Sequence, residues 1–437
     1  MSIELVTLIL FGSFLLLMVA GVPLVFALGG SAVIGTYFLW GPNALYAVGI
    51  RTFSSATSFV LLAIPMFIFM GSMLERSGIA ADLYDMMQKW LGAVNGGLAV
   101  GTVLVCTIFA ALVGVSGAAT VTMAMVALPA MLERNYAKGV SLGCIAGGGA
   151  LGVLIPPSVV MIVLGLYTNT SVGMLFLGGI TAGMVIVTLF ALYILILCAV
   201  KPEMGPAVPA GERASWPEKF RSLGSVLLPL ALITVVLGSI VGGVATPSEA
   251  AGLGALGAIV CAFAKKRLSW EAVYDSCKIT LRLSCMVMWI VFAAAIFTSL
   301  YAAVGADQLV RDSLAWLPGG KWGVLIGMQV IWIIMGCFLD PIGIMILTAP
   351  LFFPLATSLG FDPVWLGVLF VVNMEMAFLT PPFGFNLFYL RSVVPKGITM
   401  GDIYKSVAPF VALQALALVL MIIFPGLITW LPYTLLR

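Results

Sequence analysis

Two apolar stretches of this chain are each interrupted by a double proline, and the interruptions correspond. Leu154-Ile155-Pro156-Pro157-Ser158 lies in one stretch and Leu379-Thr380-Pro381-Pro382-Phe383 in the other. A shift of 225 positions carries Pro156 onto Pro381, Asp82 onto Asp307 and Pro129 onto Pro354, and a shift of 224 carries Pro23 onto Pro247. The chain therefore reads as two homologous halves. Proline has no N–H to donate and crowds the preceding turn, so each pair breaks its helix. Paired interrupted membrane helices at matching positions point to the midplane binding site of a secondary transporter.

Composition sets the solvent. Hydrophobic residues make up 62% of the 437 and charged residues 8%, against about 25% charged in water-soluble domains. Runs such as 225–244 and 408–424 approach or reach the roughly 17–25 apolar residues that span a bilayer as helix. Inside lipid the backbone must satisfy its own hydrogen bonds. The runs are continuous rather than alternating, which selects helices over a barrel. The expected class is an all-α polytopic membrane protein with no nucleic-acid partner. Met1-Ser2-Ile3-Glu4 lacks a basic leader, so Glu4–Ala20 is expected to be a retained helix.

The chain has no histidine. That removes the usual general base and the commonest metal ligand. It also lacks a G-x-S-x-G nucleophile elbow and a G-x-x-x-x-G-K-[ST] phosphate loop. Seven cysteines, scattered without a C-x-x-C, read as apolar packing. An intramembrane enzyme would have only carboxylates to work with.

The first half, 1–200, reads as spans near 4–20, 22–40 and 53–74, with Arg51 in a short loop. An amphipathic stretch 75–91 follows, then a re-entrant hairpin 97–132 with its tip at 114–120. A broken helix 138–169 and a span 173–200 complete the half. The proline-rich segment 201–222 is a linker. The second half, 223–405, repeats the plan: spans near 224–243, 247–264 and 281–303, an amphipathic stretch 306–317, a hairpin 322–358 with its tip at 339–343, and a broken helix 364–391. A last span, 406–431, sits in a terminal segment 406–437. If the first hairpin opens to the cytoplasm and the second to the outside, 16 of the 20 basic residues are cytoplasmic. The positive-inside rule prefers that assignment. The repeats are then inverted and both termini face the periplasm of a bacterial inner membrane.

A sodium ion in the membrane needs several oxygens to replace its water, and unwound carbonyls supply them without net charge. The first tip and break offer the carbonyls of Gly114–Ala118, Gly117 among them, those of Gly152–Ile155, and the hydroxyls of Ser116, Thr120 and Ser158. The second pair offers Asp340, Gly343, Thr380, Gly384 and Asn386. One sodium site per tip-and-break pair is expected. The alternative is that the prolines only kink the helices and the hydroxyls only cap them. An organic acid would meet Ser116, Thr120, Ser158 and Asn386 beside Pro157 and Pro382, with the half-helix N-termini facing its carboxylate. Asp340 is either a charge for an ion or the N-cap of the returning helix, with Pro341 at the first helical position. Glu375 could take a proton, pair with a cation, or hydrogen-bond a neighbouring helix. Thr246-Pro247-Ser248-Glu249 fits a capping box.

Several segments together resemble one family. They are 147–158 (Gly-Gly-Gly-Ala-Leu-Gly-Val-Leu-Ile-Pro-Pro-Ser), 243–251, 338–342 (Phe-Leu-Asp-Pro-Ile), 370–375, and Leu379-Thr380-Pro381-Pro382 with Gly384. The chain resembles, over essentially its whole length, the large membrane subunit (DctM type) of tripartite ATP-independent periplasmic (TRAP) transporters. The resemblance implies an elevator-type ion transporter fold with Na+ as coupling ion. It implies an organic-acid substrate (a dicarboxylate, sialic acid or similar carboxylate) delivered by a periplasmic binding protein of the DctP type. It implies a separate four-helix membrane subunit of the DctQ type as a brace. A stand-alone sodium–carboxylate symporter of the same paired-hairpin design is the other reading.

Overall fold

Continuous apolar runs become helices wherever a cap starts them and a glycine or proline stops them. The computed structural model describes residues 2–114, 116–305, 318–381 and 384–436, with only the backbone at Ser225. The expected stretch 306–317 with Asp307, the outer part of the loop before the second hairpin, and Pro382 and Phe383 lie outside them. The described residues contain helices and no strand.

The first half opens with α1 (Ile3–Val19), α2 (Leu24–Gly35), α3 (Leu45–Ala56), α4 (Ala63–Arg76) and α5 (Ile79–Leu91). Arg51, expected in a loop, is in α3, whose residues are all at least partly exposed. The expected span 53–74 is divided, because Thr57 and Ser58 leave helical geometry before a 3₁₀ turn at Phe59–Leu62. The amphipathic helix starts at Ile79 rather than residue 75, since Gly78 at φ +69° ends the preceding helix. The first hairpin is α6 (Gly97–Val113) and α7 (Ser116–Glu133). The first broken helix is α8 (Lys138–Ala150), a 3₁₀ turn at Leu151–Val153, and α9 (Val159–Thr168). The 29-residue α10 (Val172–Val200) follows.

In the second half α11 (Trp216–Val241) starts inside the expected linker, because Ser215 and Glu218 form a capping box with Pro217 in the first turn. Then come α12 (Pro247–Ala264), with its Thr246–Glu249 capping box, and α13 (Trp270–Ala303). α13 begins well before the expected 281, since its first turns are polar and invisible to hydropathy. The second hairpin is α14 (Gly320–Gly336) and α15 (Pro341–Ser358). The second broken helix is α16 (Pro363–Ala377) and α17 (Phe385–Val393). The expected last span is two helices, α18 (Met400–Ile423) and α19 (Gly426–Leu435). Pro425 disfavours helical geometry at Phe424, which sits at φ −119°, ψ 77°.

Helices packed across the halves come in pairs that exchange under the 225-residue shift. α2 packs on α13 as α12 packs on α4, and α7 packs on α17 as α15 packs on α9. Each hairpin therefore lies against the broken helix of the other half. Seven helices among the described residues are long and apolar enough to cross a membrane. Large apolar side chains such as Leu8, Leu16, Leu227 and Val235 face outward, as a lipid-facing exterior requires. At one end of the molecule Lys265 and Arg267 flank Asp82, and the Arg267 guanidinium donates to the Ser77 carbonyl at 2.6 Å. Those ion pairs tie the α12–α13 turn to α4 and α5.

Candidate functional site

Two tips and two breaks meet around one cavity of about 440 Å³. Its walls include Gly114, Ser116 and Gly117 of the first tip and Phe338–Ile342 of the second. Val153, Val159 and Val160 come from the first break, and Phe378 and Phe385 from the second. The rest of the wall comes from α13 (Leu283, Met286, Val287 and Ile290), the α1–α2 turn, Ile68 of α4 and Tyr389 of α17. The cavity thus lies where the hairpins and broken helices face α1, α2 and α13. Helices α7, α9, α15 and α17 all begin at its wall, and helix N-termini favour a carboxylate there.

The first tip is tight. Gly114 takes φ +66°, and a Cβ on it would stand 2.6 Å from the Pro157 carbonyl oxygen. The hairpin therefore rests on the break of its own half through bare backbone, which only glycine allows. Its side chains reach elsewhere. The Ser116 and Thr120 hydroxyls each stand 2.8 Å from Asn386 Oδ1, and Asn386 Nδ2 donates to the Ala146 carbonyl at 2.9 Å. Asn386 is fully buried. One amide thus joins the first hairpin, the helix before the first break and the helix after the second break. Ser116 and Thr120 were expected in one sodium site and Asn386 beside the other; in the structure these three side chains meet across the halves.

Ser158 is buried and engaged at the N-cap of α9. Its hydroxyl donates to the Val153 carbonyl at 2.5 Å and accepts from Met161 N at 3.4 Å. Asp340 is the N-cap of α15, where Oδ2 accepts from Ile342 N at 3.1 Å and Gly343 N at 3.2 Å. The same carboxylate lines the cavity. The Thr380 hydroxyl donates to the Met376 carbonyl at 2.8 Å. A Cβ on Gly384 would stand 2.8 Å from the Phe378 carbonyl and 3.1 Å from that of Thr380, and these carbonyls accept from Asn386 N and Gly384 N, which closes the second break on itself. Gly152 lies in the 3₁₀ turn before the first break, and Pro157 is buried behind Gly114. Among the described residues no three His, Cys, Asp or Glu side chains cluster. Of the residues expected to hold sodium, Ser116, Gly117 and Asp340 line the cavity, while Gly152, Ser158, Gly343, Thr380 and Gly384 do not.

Sequence reasoning missed the aromatic part of the wall. Tyr389 lies over the first tip, where a Cβ on Gly117 would meet its ring at 2.7 Å. Phe338, Phe378 and Phe385 look like ordinary packing in an apolar run, and no local signal separates them from it. Glu375 is away from the cavity wall. It is fully buried and accepts from Gln414 Nε2 at 2.8 Å, while Glu375 Oε2 and Gln414 Oε1 have no partner.

The fold and sequence agree with known proteins. The family described as tripartite ATP-independent periplasmic transporter, DctM component, matches residues 11–427. A C4-dicarboxylate TRAP transporter large permease protein of Pseudomonas aeruginosa is 34% identical over 402 residues, covering 91% of this chain and 92% of that one. An ectoine TRAP transporter large permease protein of Halomonas elongata is 31% identical over 94% of this chain and 95% of that one. The crystal structure of the Alcanivorax borkumensis YdaH transporter shares the fold, with a TM-score of 0.61 at 16% identity over 90% of this chain and 91% of that chain. The chain is a multi-span membrane protein that belongs to the DctM family, the large permease component of tripartite ATP-independent periplasmic transporters.

Proposed function

We propose that this chain is the sodium-coupled permease subunit of an importer that takes an organic acid from a periplasmic binding protein. The observation that carries the reading is the convergence of both hairpin tips and both helix breaks on one cavity, with Asn386 bonded across the halves. Four half-helices begin at the cavity wall; α15 is capped there by Asp340 and α9 by Ser158, and the N-termini of α7 and α17 are the ends that would favour an anion, with neutral oxygens beside them to replace the shell of a sodium ion. The exchange of packing pairs under the 225-residue shift supports two inverted repeats. The cavity lies along a seam, with α1, α2 and α13 on one side and hairpins and breaks on the other. An elevator mechanism would move the second group past the first. A DctQ-type membrane subunit bracing the first group and a DctP-type binding protein docking outside would complete the importer in a bacterial inner membrane, with both termini in the periplasm.

The test uses proteoliposomes holding both membrane subunits. Uptake should require loaded binding protein on the outer side. Uptake of free acid at an equal rate without it would favour the stand-alone symporter. Single cysteines in a background lacking native cysteines test the inversion. An impermeant thiol reagent on spheroplasts should reach the loop at 318–320 and not the linker at 205–213, and the reverse pattern would overturn the assignment.

A further inference from the structure

The outer halves of the two broken helices, α9 and α17, match under the 225-residue shift, yet one is sealed and the other is not. α9 is buried continuously from Val159 to Gly165 and packs on α4, α10, α15 and α16. α17 buries only Asn386, Leu387 and Leu390. Phe388 and Tyr389 are 47% and 45% exposed, whereas Val163 and Leu164 at the matching positions are 0% exposed. The cavity follows this difference. It stops at Val159 and Val160, where α9 begins, and reaches Tyr389, the α1–α2 turn and Leu283 of α13 on the other side. Leu283 adjoins Arg282, and the turn before α13 carries Lys265 and Arg267. That is the end that the basic residues assign to the cytoplasm.

One polar bond ties the sealed helix to the opposite side of the seam. Tyr167, in the last turn of α9, donates its hydroxyl to the Val291 carbonyl of α13 at 3.1 Å. A helical carbonyl has a second lone pair free for such a donor. The bond exists only while α9 lies against α13. Ser392 stands at the matching position of α17, and its hydroxyl donates to the Tyr389 carbonyl of the same helix at 2.7 Å. A state that exchanged the roles of the two halves would therefore bring a serine, not a phenol, to the seam. The bond favours one state and has no equivalent in the other.

Resting on the elevator part of the reading above, we propose that the chain stands open to the cytoplasm here and that Tyr167 is a latch, its bond to Val291 holding the outer path shut. Tyr167 touches neither cavity nor ion. It acts on the balance between inward-open and outward-open states.

The test reads that balance by sidedness. Phe338 lies on the second tip, lines the cavity and is more than half exposed. Phe338→Cys is made the single cysteine of the full chain, expressed with its small membrane subunit. An impermeant thiol reagent should label it faster in inside-out vesicles than in spheroplasts. Adding Tyr167→Phe, which keeps the ring and removes only the hydroxyl, should raise the spheroplast rate about two- to tenfold, the population shift of one hydrogen bond. The inside-out rate should stay within about twofold, which also reports that the variant is folded. A spheroplast rate unchanged by Tyr167→Phe would overturn the latch. Faster labelling in spheroplasts than in inside-out vesicles before Tyr167 is changed would overturn the inward-open assignment and the latch with it. Sodium-driven uptake by the chain with and without Tyr167→Phe separates the two readings. Uptake that persists while labelling is unchanged removes the latch alone. No uptake by either, with labelling confined to one side throughout, removes the permease reading as well.

Discussion

Replacing Asn386 by leucine removes the side chain that bonds its own helix, α17, to both α7 and α8. The Ser116 hydroxyl would lose its acceptor in a buried place, and the Ala146 carbonyl would lose a side-chain donor. Thr120 would keep an alternative, because its hydroxyl also lies 3.2 Å from the Ser116 carbonyl. A buried polar group left without its partner costs about 1–3 kcal/mol. The Ala146 carbonyl sits within helix α8 and retains backbone partners, so the sum falls near the low end, about 2–3 kcal/mol. The assay is reversible denaturation in mixed micelles for wild type, Asn386→Leu, Ser116→Ala and the double variant. Ser116→Ala removes the same bond from the other side while Thr120 continues to donate. The cycle should therefore return a coupling energy of about 1 kcal/mol. A coupling below about 0.3 kcal/mol, the usual additivity error, would refute the cross-half bond. Transport should suffer more than stability, because the amide positions both the first tip and the second broken helix.

Asp340→Asn separates ion binding from capping, since Asn and Asp cap about equally: the variant should fold and assemble, yet need more sodium for half-maximal uptake, and superimposable sodium curves would leave only the cap. Glu375→Gln should be tolerated, because the new amide can donate to the Gln414 oxygen that now lacks a partner, whereas Glu375→Leu strands both Gln414 polar groups and should cost about 2–4 kcal/mol in the same denaturation assay. Gly149→Ala should destabilise by about 1–3 kcal/mol, because its Cβ would stand 2.0 Å from Thr120 Oγ1, and combining it with Thr120→Ala should cost less than the sum of the two.

Much of this architecture is written locally. A double proline cannot be mistaken inside an apolar run, so both breaks are visible, and Gly114 and Asp340-Pro341 mark the tips by backbone chemistry alone. The capping box at Thr246–Glu249 is equally local. What stays hidden is long-range or polar. Asn386 meets Ser116 and Thr120 from 270 and 266 residues away, and no periodicity encodes that distance. The first turns of α13 carry Glu271, Asp275, Lys278 and Arg282, so hydropathy ends the span where the charge begins although the helix continues. Basic residues at 265 and 267 count toward orientation in the sequence, while in the structure they also flank Asp82. The aromatic wall is hidden for a different reason: a phenylalanine facing a cavity and one facing a neighbouring helix look the same in one sequence.

The central claim is that sodium drives an organic acid through the cavity between the two tips. It is tested most directly by initial uptake rates in proteoliposomes containing both membrane subunits with loaded binding protein outside, comparing an inward sodium gradient with an equal potassium gradient. Accumulation above equilibrium with sodium, abolished when potassium replaces it and weakened in Asn386→Leu, is the expected result. Equal uptake in potassium, or uptake driven by a proton gradient alone, would contradict the account.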